Sequence, residues 1–265
     1  MINVAIAGAA GRMGKSLIRC MTQFDNMKLC AAIEAVGQQT IGQDAGTQAG
    51  GPAAGIAINA DLDQLANADV LIDFSFHAAV PEHLEACVQH KTAIVIGTTG
   101  LDENELEAVQ NAAKSTAVLH APNMSVGMNL LFAMVKDAAS RLPEDYDIEI
   151  TEMHHRHKKD APSGTALRIA ECAADGRNVK LSEKACYGRH GIGDERPRGE
   201  IGIHTLRGGD IVGDHTVLFS ADGEQVLIGH RATNRDVFTM GALRAAQWIA
   251  GKPAGAYTMR DVLGL

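Results

Sequence analysis

Ile2-Asn-Val-Ala-Ile-Ala-Gly8-Ala-Ala-Gly11-Arg-Met-Gly14 opens the chain: a short apolar run, then glycines at every third position. A stripe of Leu17, Cys20, Met21 and Phe24 follows at helical spacing. Strand, glycine turn and helix together form the first half of a nucleotide-binding βαβ unit. Glycine lets backbone N–H groups approach a pyrophosphate, and the partial positive charge of the helix N-terminus favours it. A second strand, Lys28 to Ile33, ends at Glu34, and 34 − 14 = 20 positions past the last glycine is where an acidic side chain meets an adenosine ribose. The spacing is G-x-x-G-x-x-G rather than G-x-G-x-x-G, so the turn has weight only together with its flanks. A purely structural tight turn is the alternative.

Outward from this unit, Gly37 to Ala60 is rich in Gly, Gln and Ala without a steady period, which predicts a mobile loop and a short strand near Gly55 to Ile58. Regular alternation then resumes. Asp69 to Ser75 reads as a buried strand, Ala78 to Gln89 as a helix, and Thr92 to Gly100 as a strand running into a turn. Leu106, Val109, Ala112 and Ala113 stripe the next helix, and Thr116 to Asn123 is a further strand. Such alternation implies a doubly wound parallel sheet with ligands at the carboxyl ends of its strands. Gly97-Thr98-Thr99-Gly100 and Ala121-Pro122-Asn123-Met124 stand at two such ends, as candidate nicotinamide-side loops.

After Asn123 the pattern changes. A longer helix carries Leu130, Leu131, Met134, Val135 and Ala138 on one face, and a strand from Tyr146 to Met153 follows. Beyond an irregular stretch between Gly188 and Gly199 come strands at Glu200–Leu206, Asp214–Ser220 and Gln225–His230. Their turns, Gly208-Gly209-Asp210 and Asp222-Gly223, suit antiparallel hairpins. A helix from Val237 to Ala250 and a short tail end the chain. The expected class is α/β: an N-terminal Rossmann-like doubly wound sheet over residues 1–126, then a C-terminal α+β domain with an open mixed or antiparallel sheet over 127–235.

Composition agrees. Aromatic residues are only 4%, so the core must be built from Ala, Val, Ile, Leu and Met, as helix-covered parallel sheets are. A net charge of -8 and a pI near 5.7 argue against nucleic acid as partner, since phosphate backbones want a basic surface. The five cysteines are odd in number and free of C-x-x-C pairs, which fits a reducing cytoplasm. No charged leader precedes the first apolar run, and no apolar stretch approaches the ~20 residues that span a bilayer. The expectation is a cytoplasmic protein without a membrane segment.

Against this acidic background, Glu152-Met-His-His-Arg-His-Lys-Lys-Asp-Ala-Pro-Ser-Gly-Thr165 packs His154, His155, His157, Arg156, Lys158 and Lys159 into six consecutive residues. So much local positive charge needs an anionic partner. Ser163 reads as the N-cap of a helix whose first turn, Gly164 and Thr165, is a seat for a carboxylate or phosphate. Imidazoles beside an anion seat point to a catalytic pocket. A solvated basic loop and a zinc site are the other readings. Zinc has less support, because no cysteine lies near, His154 and His155 would face opposite sides of a strand, and no second half of a site is present. No metal is expected.

The segment resembles the signature of the 4-hydroxy-tetrahydrodipicolinate reductases, also called dihydrodipicolinate reductases. Similar motifs extend over Gly8–Gly14, Glu34, Gly97–Gly100, Ala121–Asn129, Gly208–His215 and the terminal Met259-Arg-Asp-Val-Leu. The resemblance implies NAD(P)H-dependent reduction of a small cyclic, imine-containing dicarboxylate in lysine biosynthesis through diaminopimelate. It implies His154 as proton donor/acceptor with Lys158 as proton donor, and His155, Ser163, Gly164 and Thr165 as substrate contacts. Cofactor contacts would fall on Gly8, Ala9, Ala10, Gly11, Arg12 and Met13, on Glu34, on Gly97, Thr98 and Thr99, and on Ala121, Pro122, Asn123 and Met124. It further implies that residues 236–265 complete the nucleotide domain, and that the chain forms a homotetramer through its second domain.

One departure bears on the cofactor. Where NADPH-favouring members often carry arginines, after the ribose-binding acid and after the Asp-Phe-Ser run, this chain has Ala35 and Phe76. NADH is therefore expected to serve at least as well as NADPH. The alternatives are another two-domain nicotinamide reductase of the aspartate pathway, or a nucleotide-binding module without turnover.

Overall fold

A computed structural model describes all residues from Met1 to Leu265. In chain order, β1 (Ile2–Ala7) leads to α1 (Arg12–Met21), β2 (Met27–Ile33), α2 (Ala45–Gln48), β3 (Ile58–Asn59) and β4 (Val70–Asp73). Then come α3 (Val80–His90), β5 (Ala93–Ile96), α4 (Glu103–Ala112), β6 (Ala117–His120), α5 (Val126–Arg141) and β7 (Asp147–His154). α6 (Gly164–Arg177), α7 (Leu181–Lys184), β8 (Ala185–Cys186), β9 (Ile201–Arg207), β10 (Gly213–Ala221) and β11 (Glu224–Ala232) follow. The chain ends in α8 (Asp236–Ile249), β12 (Gly255–Tyr257) and α9 (Met259–Leu263). It divides into two compact units, Met1–Val126 with Asp236–Leu265, and Gly127–Arg235.

The first unit holds seven parallel strands in the order β12-β6-β5-β4-β1-β2-β3. Alternation along β1 sends Val4 and Ile6 to a core shared with α1 and α8, and Ala5 and Ala7 to a second core shared with α3 and α4. Both faces are covered, which is why these strands read as unbroken apolar runs. Gly8 takes the left-handed conformation at φ 72°, where a side chain would be strained. α1 then lies so close on the turn that a Cβ at Gly14 would stand 2.2 Å from the Gly8 carbonyl oxygen and 2.6 Å from Ala9 Cα.

Two stretches here differ from the sequence reading. The Gly37–Ala60 segment has its own order: the Asp44 carboxylate accepts N–H bonds from Thr47, Ala54 and Gly55 at 2.8–3.0 Å. These bonds hold its carboxyl at about 2. One organising side chain leaves no periodic trace in sequence. At the other end, Gly255–Tyr257 is an edge strand parallel to β6 rather than a tail, too short to show alternation.

The second unit is a mixed sheet ordered β11-β10-β7-β9-β8, antiparallel from β11 to β7 and parallel from β7 to β8. Asp222-Gly223 closes the β10–β11 hairpin as expected, with Ala221 opposite Glu224. Gly208-Gly209-Asp210 does not close a hairpin, because β9 and β10 lie on opposite sides of β7. The connection instead passes over the end of β7, with Gly208 N donating to His154 O at 3.0 Å and Arg156 N to Gly209 O at 3.2 Å. Ile148, Ile150, Ile201, Ile203, Val217 and Phe219 form the covered face, packed with α5 and α6.

The buried stripe of α5 is Met128, Leu131, Val135 and Ala139, while Leu130 and Met134 are 44% and 46% exposed. Leu130 with Met134 and Leu131 with Val135 are two adjacent apolar stripes, indistinguishable along the chain, of which only the second meets the sheet. On the opposite face the irregular 188–199 stretch brings Arg189 and Arg196 to Glu149, at 3.1 and 2.8 Å, beside His204 at 2.5 Å. Burial would raise the Glu149 carboxyl, but these donors outweigh it and hold it at about 2.

Two stability measurements follow. By urea unfolding, Gly14→Ala should cost about 1–3 kcal/mol, because the added methyl meets backbone and not a movable side chain. Gly164→Ala, with nothing within 4 Å of its Cβ position, should change stability by less than about 1 kcal/mol. For Glu149 the folded carboxyl lies below its ordinary 4.5, so its contribution is complete above that pH and is lost as pH falls towards about 2. Glu149→Gln should therefore be less stable than the parent at neutral pH, with the gap closing over that acidic window.

Candidate functional site

In the first unit the connections reverse direction between β1 and β4, the switch point where open α/β sheets bind ligands. A cleft of about 470 Å³ lies there, lined by Gly8, Gly11, Glu34, Ala35, Ser75 and Phe76 among others. Gly11 is the N-cap of α1, and no side chain caps the helix, so its first-turn N–H groups are left for a ligand. Glu34 stands at the end of β2, where it accepts from Ala10 N at 3.0 Å and Ala35 N at 3.2 Å. Ala9 is buried, with its N–H bonded to Ile33 O, whereas Arg12 is exposed and Met13 half-buried. No lysine or arginine lines the cleft, whose ionisable residues are Glu34, Glu82 and His83.

Gly97–Thr99 and Ala121–Met124 stand at the carboxyl ends of β5 and β6 and are not part of that lining. A Cβ at Gly97 would meet the Phe74 ring at 2.2 Å, which accounts for glycine there. Thr98 is buried, its hydroxyl donating to Asp73 Oδ1 at 2.9 Å, and Thr99 is exposed. Ala121 and Met124 are buried, Pro122 is exposed, and Asn123 Oδ1 accepts from Ser125 N at 2.9 Å. Asp73, with no exposure, also accepts from Ser75 N and Oγ and pairs with His83 Nδ1 at 2.7 Å. Burial would raise its carboxyl, but the His83 pair and the Ser75 bonds lower it.

In the second unit β7 delivers Glu152 and His154, two residues apart, to one face of the sheet. Glu152 is wholly buried and His154 is 9% exposed, and His154 Nδ1 lies 2.5 Å from Glu152 Oε2. An ionised carboxylate only accepts, so Nδ1 carries the hydrogen and Nε2 is left for other chemistry. The same carboxylate accepts from Ser163 N at 3.0 Å, while the Ser163 hydroxyl caps α6 through Ala166 N at 3.2 Å. Gly164 is exposed and Thr165 half-buried in the first turn of α6.

His155 follows at the strand end, with its Nδ1 buried and without a hydrogen-bond partner. Desolvation, then the charge of Arg235 and the His157 ring, lowers its pKa. Lys158 Nζ pairs with Asp160 Oδ2 at 2.9 Å. The structure thus brings His154 and Ser163 onto one carboxylate, with His155, Lys158, Gly164 and Thr165 adjacent in the chain. Nowhere do three or more His, Cys, Asp or Glu side chains group as a metal would need.

Several neighbours of His154 escaped the sequence reading. Arg207 grips Glu152 with both terminal nitrogens at 2.9 Å, and Thr205 Oγ1 donates to it at 3.2 Å. His215 is 4% exposed, with neither ring nitrogen hydrogen-bonded, and its ring stands edge-on to His154 at 5.2 Å. Burial, then the neighbouring His154, pushes it down to about 4. Gly213 has no side chain to crowd the His154 ring, since a Cβ there would stand 3.1 Å from His154 Nε2. The shared period of Glu152 and His154 was a usable signal, but Arg207, Gly213 and His215 depend on the strand order.

Family models match both parts of the chain: the N-terminal part of dihydrodipicolinate reductase over residues 2–124 and its C-terminal part over 127–263. A 4-hydroxy-tetrahydrodipicolinate reductase of Anaeromyxobacter dehalogenans is 49% identical over 100% of this chain and 98% of its own length. One from Nitrosomonas europaea is 47% identical with the same coverage of both chains. Among solved structures, the dipicolinate-bound dihydrodipicolinate reductase of Paenisporosarcina sp. TG-14 superposes with TM-score 0.78 at 27% identity, over 97% of both chains. With both parts of the family model and full-length relatives in agreement, the chain belongs to the dihydrodipicolinate reductase family.

Proposed function

We propose that this chain reduces 4-hydroxy-tetrahydrodipicolinate to tetrahydrodipicolinate with a nicotinamide cofactor, in the diaminopimelate route to lysine. The observation that carries the proposal is the joining of His154 and the Ser163 helix cap to one buried carboxylate, in a chain of this family. In this reading His155, Ser163, Gly164 and Thr165 hold a small dicarboxylate, the class of ligand with which the Paenisporosarcina relative is described. The α6 N-terminus seats one carboxylate, and Lys158 supplies fixed charge and a further proton.

When bound, the reduced nicotinamide supplies the hydride. Over the whole reaction the 4-hydroxyl leaves as water, and hydride addition to the conjugated imine leaves an electron-rich carbon–nitrogen system that collects a proton. His154 would deliver it through Nε2 while Glu152 stabilises the cationic ring. Gly8 to Met13 and Glu34 hold the pyrophosphate and the adenosine ribose, with Gly97–Thr99 and Ala121–Met124 towards the nicotinamide. The Met1–Val126 unit, with Asp236–Leu265, is read as the dinucleotide domain, and Gly127–Arg235 as the domain for substrate and assembly. Homotetramers would form through the open face of the second sheet, where Leu206 and Leu227 are 46% and 64% exposed. No helix is long and apolar enough to cross a membrane, in keeping with a cytoplasmic site of action.

Cofactor preference follows from charge. A 2′-phosphate would meet Glu34 without a lysine or arginine in the cleft to offset it, so NADH serves at least as well as NADPH.

With substrate generated in situ by the preceding synthase, NADH oxidation should depend on that synthase, and kcat/KM with NADH should equal or exceed that with NADPH. A preference for NADPH above about tenfold would overturn the charge argument. In the same assay His154→Gln and Lys158→Ala should each lower kcat by roughly 10²- to 10⁴-fold, the usual worth of a positioned proton donor. Turnover unchanged in both would refute the assigned roles.

A further inference from the structure

We infer that Glu152, locked by Arg207, is a positioning residue: one carboxylate orients the proton donor and the substrate-binding turn together. The inference rests on the reading of His154 as donor. Its two oxygens are divided between tasks. Oε2 takes His154 Nδ1 at 2.5 Å and Arg207 Nη1 at 2.9 Å, while Oε1 takes Ser163 N at 3.0 Å, Arg207 Nη2 at 2.9 Å and Thr205 Oγ1 at 3.2 Å.

Arg207 also donates from Nη2 to the Asp160 carbonyl oxygen at 2.6 Å, which ties down the loop that carries Lys158. Donor ring, lysine loop and helix cap therefore all lead back to a single Glu–Arg pair. Facing His154 from β10 are Gly213, which leaves Nε2 open, and the His215 ring. An uncompensated carboxylate at this depth would not stay ionised, and the two-pronged guanidinium keeps it so. Because the carboxylate has no hydrogen to give, the neutral His154 ring is held in the Nδ1–H form with its free lone pair at Nε2.

An amide of the same shape separates positioning from mere packing. Glu152→Gln offers one acceptor oxygen where the carboxylate offers two, so Arg207 and His154 compete for it and the ring turns to its other tautomer. In Ser-His-Asp hydrolases the equivalent Asp→Asn change lowers kcat by about 10⁴-fold with the geometry intact. Here kcat should fall by at least about 10²-fold while KM for NADH stays within about twofold.

Nitrogen NMR of labelled histidine, at a pH where the ring is neutral and with the signal assigned by its loss in His154→Gln, should show His154 as Nδ1–H in the parent and Nε2–H in Glu152→Gln. A parent ring found as Nε2–H overturns the inference without any variant having to fold. So does a Glu152→Gln enzyme that keeps both its tautomer and its kcat within threefold while His154→Gln is inactive. Undiminished turnover in His154→Gln would instead sink the functional reading beneath it.

Discussion

A carboxylate removed from water stays charged only if the fold surrounds it with donors, and each unit of this protein is built about one that does. Glu152 collects a guanidinium fork, an imidazole, an amide and a hydroxyl from β7, β9 and the cap of α6. Asp73 collects an imidazole from α3 and hydroxyls from the loops after β4 and β5. Unpaired, either would cost several kcal/mol of desolvation, and paired, each fixes at once the segments that supply its donors. Loops that would otherwise sample many conformations are thereby held at the carboxyl ends of strands, where ligands meet this class of sheet.

The geometry around His154 follows from one topological choice. Because β9 and β10 flank β7 rather than each other, their connection passes over the end of the central strand. This crossing brings Arg207 in from one side and Gly213 and His215 from the other. A hairpin at Gly208–Asp210 would have left one side of β7 without a neighbour. The row of side chains on the covered face then runs Thr205, Glu152, His215 and His230 from strand to strand, in a single register. Glu152 and His215 are buried in that row and Thr205 and His230 half-buried, and Glu152 is the member that gathers donors from both sides.

The other unit achieves its site by subtraction. Gly8, Gly14 and Gly97 are glycines because backbone or the Phe74 ring occupies the space a side chain would need. Close approach of α1 to the turn exposes an uncapped helix N-terminus beside a cleft whose only acids are Glu34 and Glu82. An uncapped helix N-terminus favours an anion through its backbone dipoles, and no lysine or arginine lines the cleft beside it.

Local patterns were enough for much of this. Apolar runs between turns and helical stripes mark β1, β2, β4, β5 and β6, Ser163 marks the start of α6, and the cationic run at the end of β7 stands out in an acidic chain, because each depends only on neighbours along the chain. Resemblance supplied the expected roles of individual residues and the expected return of the C-terminal segment. Tertiary structure decided the rest: that β7 lies between β9 and β10, that one stripe of α5 and not two is buried, that Asp44 organises a stretch without periodicity, and that β12 completes a sheet. It alone placed Arg207 on Glu152 and His215 beside His154, partners more than fifty residues apart in sequence. A strand's own residues determine which of its faces is apolar, but which strand comes to lie beside it is set by packing of the whole chain, and no local pattern records it.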